Sequence, residues 1–261
     1  MTRVGVFGAA GRMGRAVCEA VAADPDLALV AAVDPLHAGI DLRQLTQVDT
    51  NLVVSAVPDA LVAAGAEVVV DFTVAEAARR NLAFAAEHGI HAVVGTTGFS
   101  DDDLAGIERD FARSSCLIAA NFAIGAVLMM RFAELAAPWF ETAEIIELHH
   151  DGKVDAASGT ALRTAERMAA ASSDWAPDPT TDVVLEGARG GVGAGGIPIH
   201  SVRLRGLFAH QEVLLGTAGQ SLTIRHDTYD RTCYMPGVIL AVKRVGERPG
   251  LTIGLEPLLD F

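Results

Sequence analysis

The stretch VGVFGAAGRMGRAV, from Val4 to Val17, decides the fold. Arg3–Phe7 is a short apolar run that reads as a strand, and it breaks into Gly8, Gly11 and Gly14. Helical spacing then begins at Arg12, with Met13, Ala16, Val17, Ala20 and Val21 on one face, and ends before Asp24 and Pro25. The glycine spacing, GxxGxxG, is one residue longer than the common nucleotide-binding fingerprint. The physics is the same: glycines let backbone approach a pyrophosphate, and a helix N-terminus offers N–H groups and positive potential. A second strand, Leu27–Val33, ends at Asp34, where a carboxylate accepts hydrogen bonds from ribose hydroxyls. The order strand, turn, helix, strand, acid points to a dinucleotide. A glycine-rich turn needed only for close packing is the plain alternative.

Outward from this unit, strands and helices alternate. Leu52–Val57, Glu67–Val70, Ile90–Val94 and Leu117–Ala119 read as strands, and Ala75–His88 and Asp101–Arg113 as helices. Such alternation implies a parallel, doubly wound sheet. Two strand ends, VVGTTGFS with Gly95, Thr96 and Thr97, and AANF with Ala119, Ala120, Asn121 and Phe122, fall on the same sheet edge. Together they outline a groove for a nicotinamide; ordinary strand-to-helix turns are the alternative. From Ile124 the character changes. A helix to Ala137, a strand Glu141–His149 and a helix Gly159–Ala171 precede strands at Ile199–Arg205, Gln211–Leu215 and Ser221–Ile224, the pattern of a mixed or antiparallel sheet. EGARGGVGAGG, residues 186–196, reads as a mobile loop. A helical tail from Gly237 is expected to pack back on the first domain. The fold class is therefore α/β: a Rossmann-like doubly wound parallel sheet plus a smaller α+β domain with a mixed sheet. Residues 1–122 and 231–261 are expected to bind dinucleotide. Residues 123–230 are expected to bind substrate and to carry oligomerisation.

Composition narrows the function. The net charge of −13 argues against a nucleic-acid partner, which wants a basic face. The longest apolar stretch, around Ile118–Met130, contains Asn121 and is shorter than the ~18 residues of a membrane helix, so no membrane partner is expected. Cys18, Cys116 and Cys233 are scattered and show no metal spacing. With a start that lacks a signal-peptide layout, they point to reduced thiols in the cytoplasm. Of the 20 basic residues only Lys153 and Lys243 are lysine. A lysine that persists in an arginine-biased chain is a candidate for chemistry that arginine cannot do.

Lys153 stands in ELHHDGKVDAASGT, Glu147–Thr160. Metal, anion and acid–base roles all suit two histidines, an ammonium and a helix start. Metal is discounted, because His149 and His150 are adjacent on a strand and face opposite ways. A structural role, one imidazole buried and one exposed, stays open. The third reading fits better. Ser158 is placed to cap the following helix, so the N–H groups of Gly159 and Thr160 face an anion. Lys153 adds positive charge, and a histidine beside them exchanges a proton near neutral pH. Opposite a nicotinamide, this set suits hydride transfer to an acidic substrate.

At this point the sequence resembles the dihydrodipicolinate reductase family of lysine and diaminopimelate biosynthesis. GAAGRMG, DFT at Asp71–Thr73, GTTGF, AANF and ELHHDGKVDAASGTA carry the resemblance, which spans the chain. It implies reduction of 4-hydroxy-tetrahydrodipicolinate to tetrahydrodipicolinate with NADH or NADPH, and a homotetramer built by pairing the second domain's sheets. It implies His149 as proton donor, with Lys153 in the same step or holding the developing charge. His150, Lys153, Gly159 and Thr160 resemble the contacts to a small dicarboxylate substrate. Gly8, Ala9, Ala10, Gly11, Arg12, Met13, Asp34, Gly95, Thr96, Thr97 and Ala119–Phe122 correspond to cofactor contacts. Many relatives carry proline where this chain has Ala157, which leaves the loop less constrained. Asp34 is followed by Pro35, Leu36 and His37, with no Arg or Lys until Arg43, so NADH is expected to serve at least as well as NADPH.

Two rival functions stand beside this one. A semialdehyde dehydrogenase needs a nucleophilic cysteine at a helix start, and NFAIGAVLMM has none. A non-catalytic redox sensor needs a dinucleotide site but has no use for His149, Lys153 and an anion-holding turn together.

Overall fold

The computed structural model describes residues 1–260. The described residues divide into two compact units, 1–124 with 231–260, and 125–230.

The first unit is built on six parallel strands, β1 (Thr2–Phe7), β2 (Leu27–Val33), β3 (Val68–Asp71), β4 (His91–Val94), β5 (Ser115–Ile118) and β11 (Gly250–Ile253), in the order β11-β5-β4-β3-β1-β2. β3 and β5 are buried along their whole length, as strands covered on both faces must be. Helices α1 (Arg12–Ala23), α2 (Asp59–Ala63), α3 (Ala75–Glu87), α4 (Asp101–Asp110) and α7 (Met235–Arg244) belong to this unit. α1 buries Gly14, Val17, Cys18 and Val21, a single stripe at helical spacing. α4 starts at a reciprocal cap: Asp103 N–H donates to Ser100 Oγ (3.2 Å), and Ser100 N–H donates to Asp103 Oδ2 (2.8 Å). The core runs through Phe7, Val69, Leu82, Ile107 and Phe111. β1 is flanked by β2 on one side and β3 on the other, so the chain order reverses there. In open α/β sheets ligands bind beyond the carboxyl ends of strands at such a point.

The second unit has α5 (Ile124–Ala136), β6 (Thr142–His149), α6 (Gly159–Ala171), β7 (Gly191–Val192), β8 (Pro198–Arg203), β9 (Ala209–Thr217) and β10 (Gln220–Thr228). The sheet order is β10-β9-β6-β8-β7; only β6 and β8 run parallel. One sheet face packs on the helices: Ile145, Ile199, Val213 and Leu215 meet Ala133, Ala161, Ala165 and Met168. Small alanines on α6 let the helix lie close to the branched strand residues. The alternate residues Ile146, Leu148, Val202 and Leu214 look the other way and are only partly buried.

Two expectations need correction. Leu52–Val57 forms no strand and contributes only isolated bridges, Val33 to Ser55 and Asp41 to Val53. Residues 186–196 are not a featureless loop: β7 pairs antiparallel with the start of β8, and Ala194–Gly196 makes a tight turn. Glycine makes this pairing possible, since a Cβ at Gly190 would stand 2.4 Å from Ile199 O. α2 and β11 were not foreseen. Among the described residues no helix is long and apolar enough to cross a membrane.

Candidate active site

In the first unit, the carboxyl ends of β1 to β5 bring the glycine turn, Asp34, Asp71–Thr73, Gly95–Thr97 and Ala119–Phe122 to one sheet edge. Gly8 adopts φ +62°, which favours glycine, and Gly11 N–H closes the turn onto Gly8 O at 2.9 Å. A Cβ at Gly14 would stand 2.0 Å from Gly8 O, so α1 can approach the turn only without a side chain there. Gly11 caps α1 with no side-chain bond, leaving the first turn of the helix to an outside acceptor. Asp34 is buried at the end of β2; Oδ2 accepts from Ala10 N–H (3.2 Å), and Oδ1 accepts from Leu36 N–H and pairs with His37 Nδ1, both at 3.1 Å. The acid therefore braces the turn it was paired with in sequence. Arg15 also braces it, donating from Nε to Ala10 O at 2.7 Å. Arg12 is exposed.

The next turns interlock. Asp71 is buried and accepts from Thr73 N–H, Thr73 Oγ1 and Asn81 Nδ2 at 2.6–2.7 Å. Thr96 Oγ1 donates to Thr73 O at 2.9 Å. A Cβ at Gly95 would lie 1.9 Å from the Phe72 ring, which in turn packs on Phe122 at 5.5 Å between centroids. Asn121 Oδ1 accepts from Ala123 N–H at 2.8 Å. α7 crosses the Phe122 carbonyl at Gly237, where a Cβ would stand only 2.1 Å away. The uncapped helix start, the glycine cradle and the buried acid fit a nicotinamide dinucleotide.

In the second unit, Glu147 and His149 are two apart on β6 and share the helix-facing side of the sheet. Glu147 is fully buried. Arg203 grips both of its oxygens, Nη1 on Oε2 at 2.9 Å and Nη2 on Oε1 at 2.8 Å. Ser158 N–H donates to Oε1 at 3.2 Å, and His149 Nδ1 lies 2.5 Å from Oε2. Burial raises the Glu147 carboxyl, but hydrogen bonds from Arg203, Ser201 and His149 outweigh it, holding it below the ordinary range. Burial lowers the His149 imidazole; Glu147 raises it, Lys153 and Arg203 lower it, and the balance lies below the ordinary histidine value.

β6 ends at His149, and the loop that follows carries the other candidates. His150 is exposed, 6.4 Å from the Phe208 ring. Lys153 N–H donates to His150 O at 3.1 Å, and its ammonium lies 2.6 Å from Asp155 Oδ2. Ser158 caps α6, accepting from Ala161 N–H at 3.2 Å, so Gly159 and Thr160 form the first turn of a thirteen-residue helix. Sequence reasoning passed over Glu147, Arg203 and Asp155. The strand period of two could have found Glu147. Arg203 comes from a distant strand, and no local signal announces it.

Comparison with known proteins matches both halves of the chain to one family. The family model described as dihydrodipicolinate reductase, N-terminus, matches residues 2–122, and that described as dihydrodipicolinate reductase, C-terminus, matches residues 125–259. The 4-hydroxy-tetrahydrodipicolinate reductases of Mycobacterium sp. (strain KMS) and Mycobacterium marinum (strain ATCC BAA-535 / M) are each 52% identical, over 99% of this chain and 99% of theirs. The solved dipicolinate-bound dihydrodipicolinate reductase of Paenisporosarcina sp. TG-14 is 40% identical, with a TM-score of 0.88 over 99% of this chain and 100% of that one.

Proposed function

The chain belongs to the dihydrodipicolinate reductase family, and we propose that it reduces 4-hydroxy-tetrahydrodipicolinate to tetrahydrodipicolinate with NADH or NADPH, in lysine and diaminopimelate biosynthesis. The observation that carries this reading is the pairing of His149 on buried Glu147 with Lys153 and the α6 start in one short stretch. That stretch offers a proton donor, an ammonium and a helix N-terminus to one small dicarboxylate.

Each residue has a part in the reaction. The glycine turn with Arg12 and Met13, Asp34, Gly95–Thr97 and Ala119–Phe122 hold the dinucleotide, which when bound supplies hydride to ring C4 of the dehydrated substrate. Lys153, His150 and the N–H groups of Gly159 and Thr160 fix the carboxylates, so the ring is presented in one pose. His149 gives its proton to ring C3 of the enamine that hydride addition leaves. The chain alone disfavours the imidazolium, and two substrate carboxylates arriving beside it favour it, so the donor is charged by the substrate it serves.

We further propose a homotetramer in the cytoplasm. The half-buried apolar face of Ile146, Leu148, Val202 and Leu214 suits pairing with a second sheet. Light scattering should give the mass of four chains. The reaction itself is tested by coupling the protein to a dihydrodipicolinate synthase and following nicotinamide oxidation. Dependence on the synthase product supports the reading; no oxidation with either cofactor rejects it.

A further inference from the structure

We propose that Glu147 is the positioning residue for the proton donor: its buried carboxylate holds Nδ1 of His149, leaving Nε2 to face substrate, and ties that imidazole to the N-cap of α6. This rests on the reading of His149 as donor.

Three observations support it. The carboxylate is fully buried, where an unpaired charge would be severely destabilising, yet both oxygens are committed. Oε2 is shared by Arg203 and His149, and Oε1 by Arg203 and the Ser158 N–H. One group therefore joins the donor imidazole to the cap of the anion-holding turn. The residues beside His149 on the neighbouring strands, Arg203 on β8 and Ala209 on β9, offer no side-chain acceptor. An imidazole whose Nδ1–H is engaged by a carboxylate has its tautomer and ring plane fixed.

A simple buried ion pair between Glu147 and Arg203 would be served by the same two guanidinium bonds. The two roles differ in what they do to His149. The charged groups facing that imidazole are Glu147 from its own strand, Arg203 from β8 and Lys153 from the loop. Only Glu147 favours the imidazolium. Glu147→Gln keeps the size of the side chain and removes that support, so the donor should lose its proton at lower pH.

The test combines nitrogen-15 NMR of histidine-labelled protein, with His149 assigned by loss of its signals in His149→Gln, and steady-state pH profiles. The wild type should show the Nδ1–H tautomer. In Glu147→Gln the tautomers should mix, the titration should move to lower pH, and the basic limb of kcat should move with it. At neutral pH kcat should fall by about tenfold or more, with little change in KM. An Nε2–H tautomer in the wild type would overturn the proposal without any variant. So would a Glu147→Gln enzyme whose activity falls equally at every pH. A wild type with the Nδ1–H tautomer but no reductase activity would reject the functional reading while leaving the Glu147–His149 coupling standing.

Discussion

The Lys153 ammonium lies 2.6 Å from the Asp155 carboxylate, so the cation assigned to substrate already has a partner within its own loop. A substrate carboxylate has to compete for it. Asp155→Asn removes the competitor and should lower KM by about two- to fivefold with kcat little changed, since an exposed pair is weak. Steady-state kinetics with an unchanged or higher KM would show that Asp155 orients Lys153 instead.

Lys153→Arg should be damaging although charge is kept. The ammonium is a compact donor on a flexible stem, whereas guanidinium is planar, larger and poor at giving up a proton. Full activity in this variant would reduce Lys153 to a plain positive charge.

His149→Gln should lower kcat by about 10²–10⁴-fold with a modest change in KM, the usual worth of a general acid. Near wild-type turnover would remove His149 from the donor role.

The pH profiles should separate free and bound enzyme. Burial, with Lys153 and Arg203, holds the free His149 imidazole below its ordinary value despite Glu147. An acid catalyst must be protonated, so kcat/KM should fall as pH rises through that lowered value. A bound dicarboxylate should raise the same pKa, so the fall in kcat should lie at higher pH. Coincident midpoints would contradict the charging of the donor by substrate.

Much of the first unit was legible because its signals are local. The glycine turn, the α1 stripe and the apolar runs of β3, β4 and β5 each declare themselves within a dozen residues. Leu52–Val57 misled because an apolar run carries no record of whether a neighbouring strand is there to pair with it. β11 was missed because Gly250–Ile253 is short and pairs only with distant β5. In the candidate site, ELHHDGK displays the histidines and the lysine. The arrangement of Glu147 depends on Arg203, which arrives from β8 after α6 and a long connection. Long-range contacts of that kind leave no periodicity to read.

Cofactor choice is open to a direct comparison. Asp34 is buried and braces the glycine turn, and the exposed Pro35 that follows offers no positive charge. The carboxylate should accept bonds from free ribose hydroxyls and repel a 2′-phosphate. NADH should be used at least as well as NADPH by kcat/KM, and Pro35→Arg should shift the ratio toward NADPH. A wild-type preference for NADPH of about tenfold or more would assign the choice to Arg12 or another residue.

The proposed reaction places hydride on ring C4 of a dehydrated cyclic dicarboxylate. The most direct measurement uses NADH dideuterated at nicotinamide C4, substrate made in place by a dihydrodipicolinate synthase, and NMR of the product. The expected product carries one deuterium at C4 of tetrahydrodipicolinate and none at C3, with oxidised cofactor in equal amount. Cofactor left unconsumed, or consumed with no deuterium at C4, would contradict it.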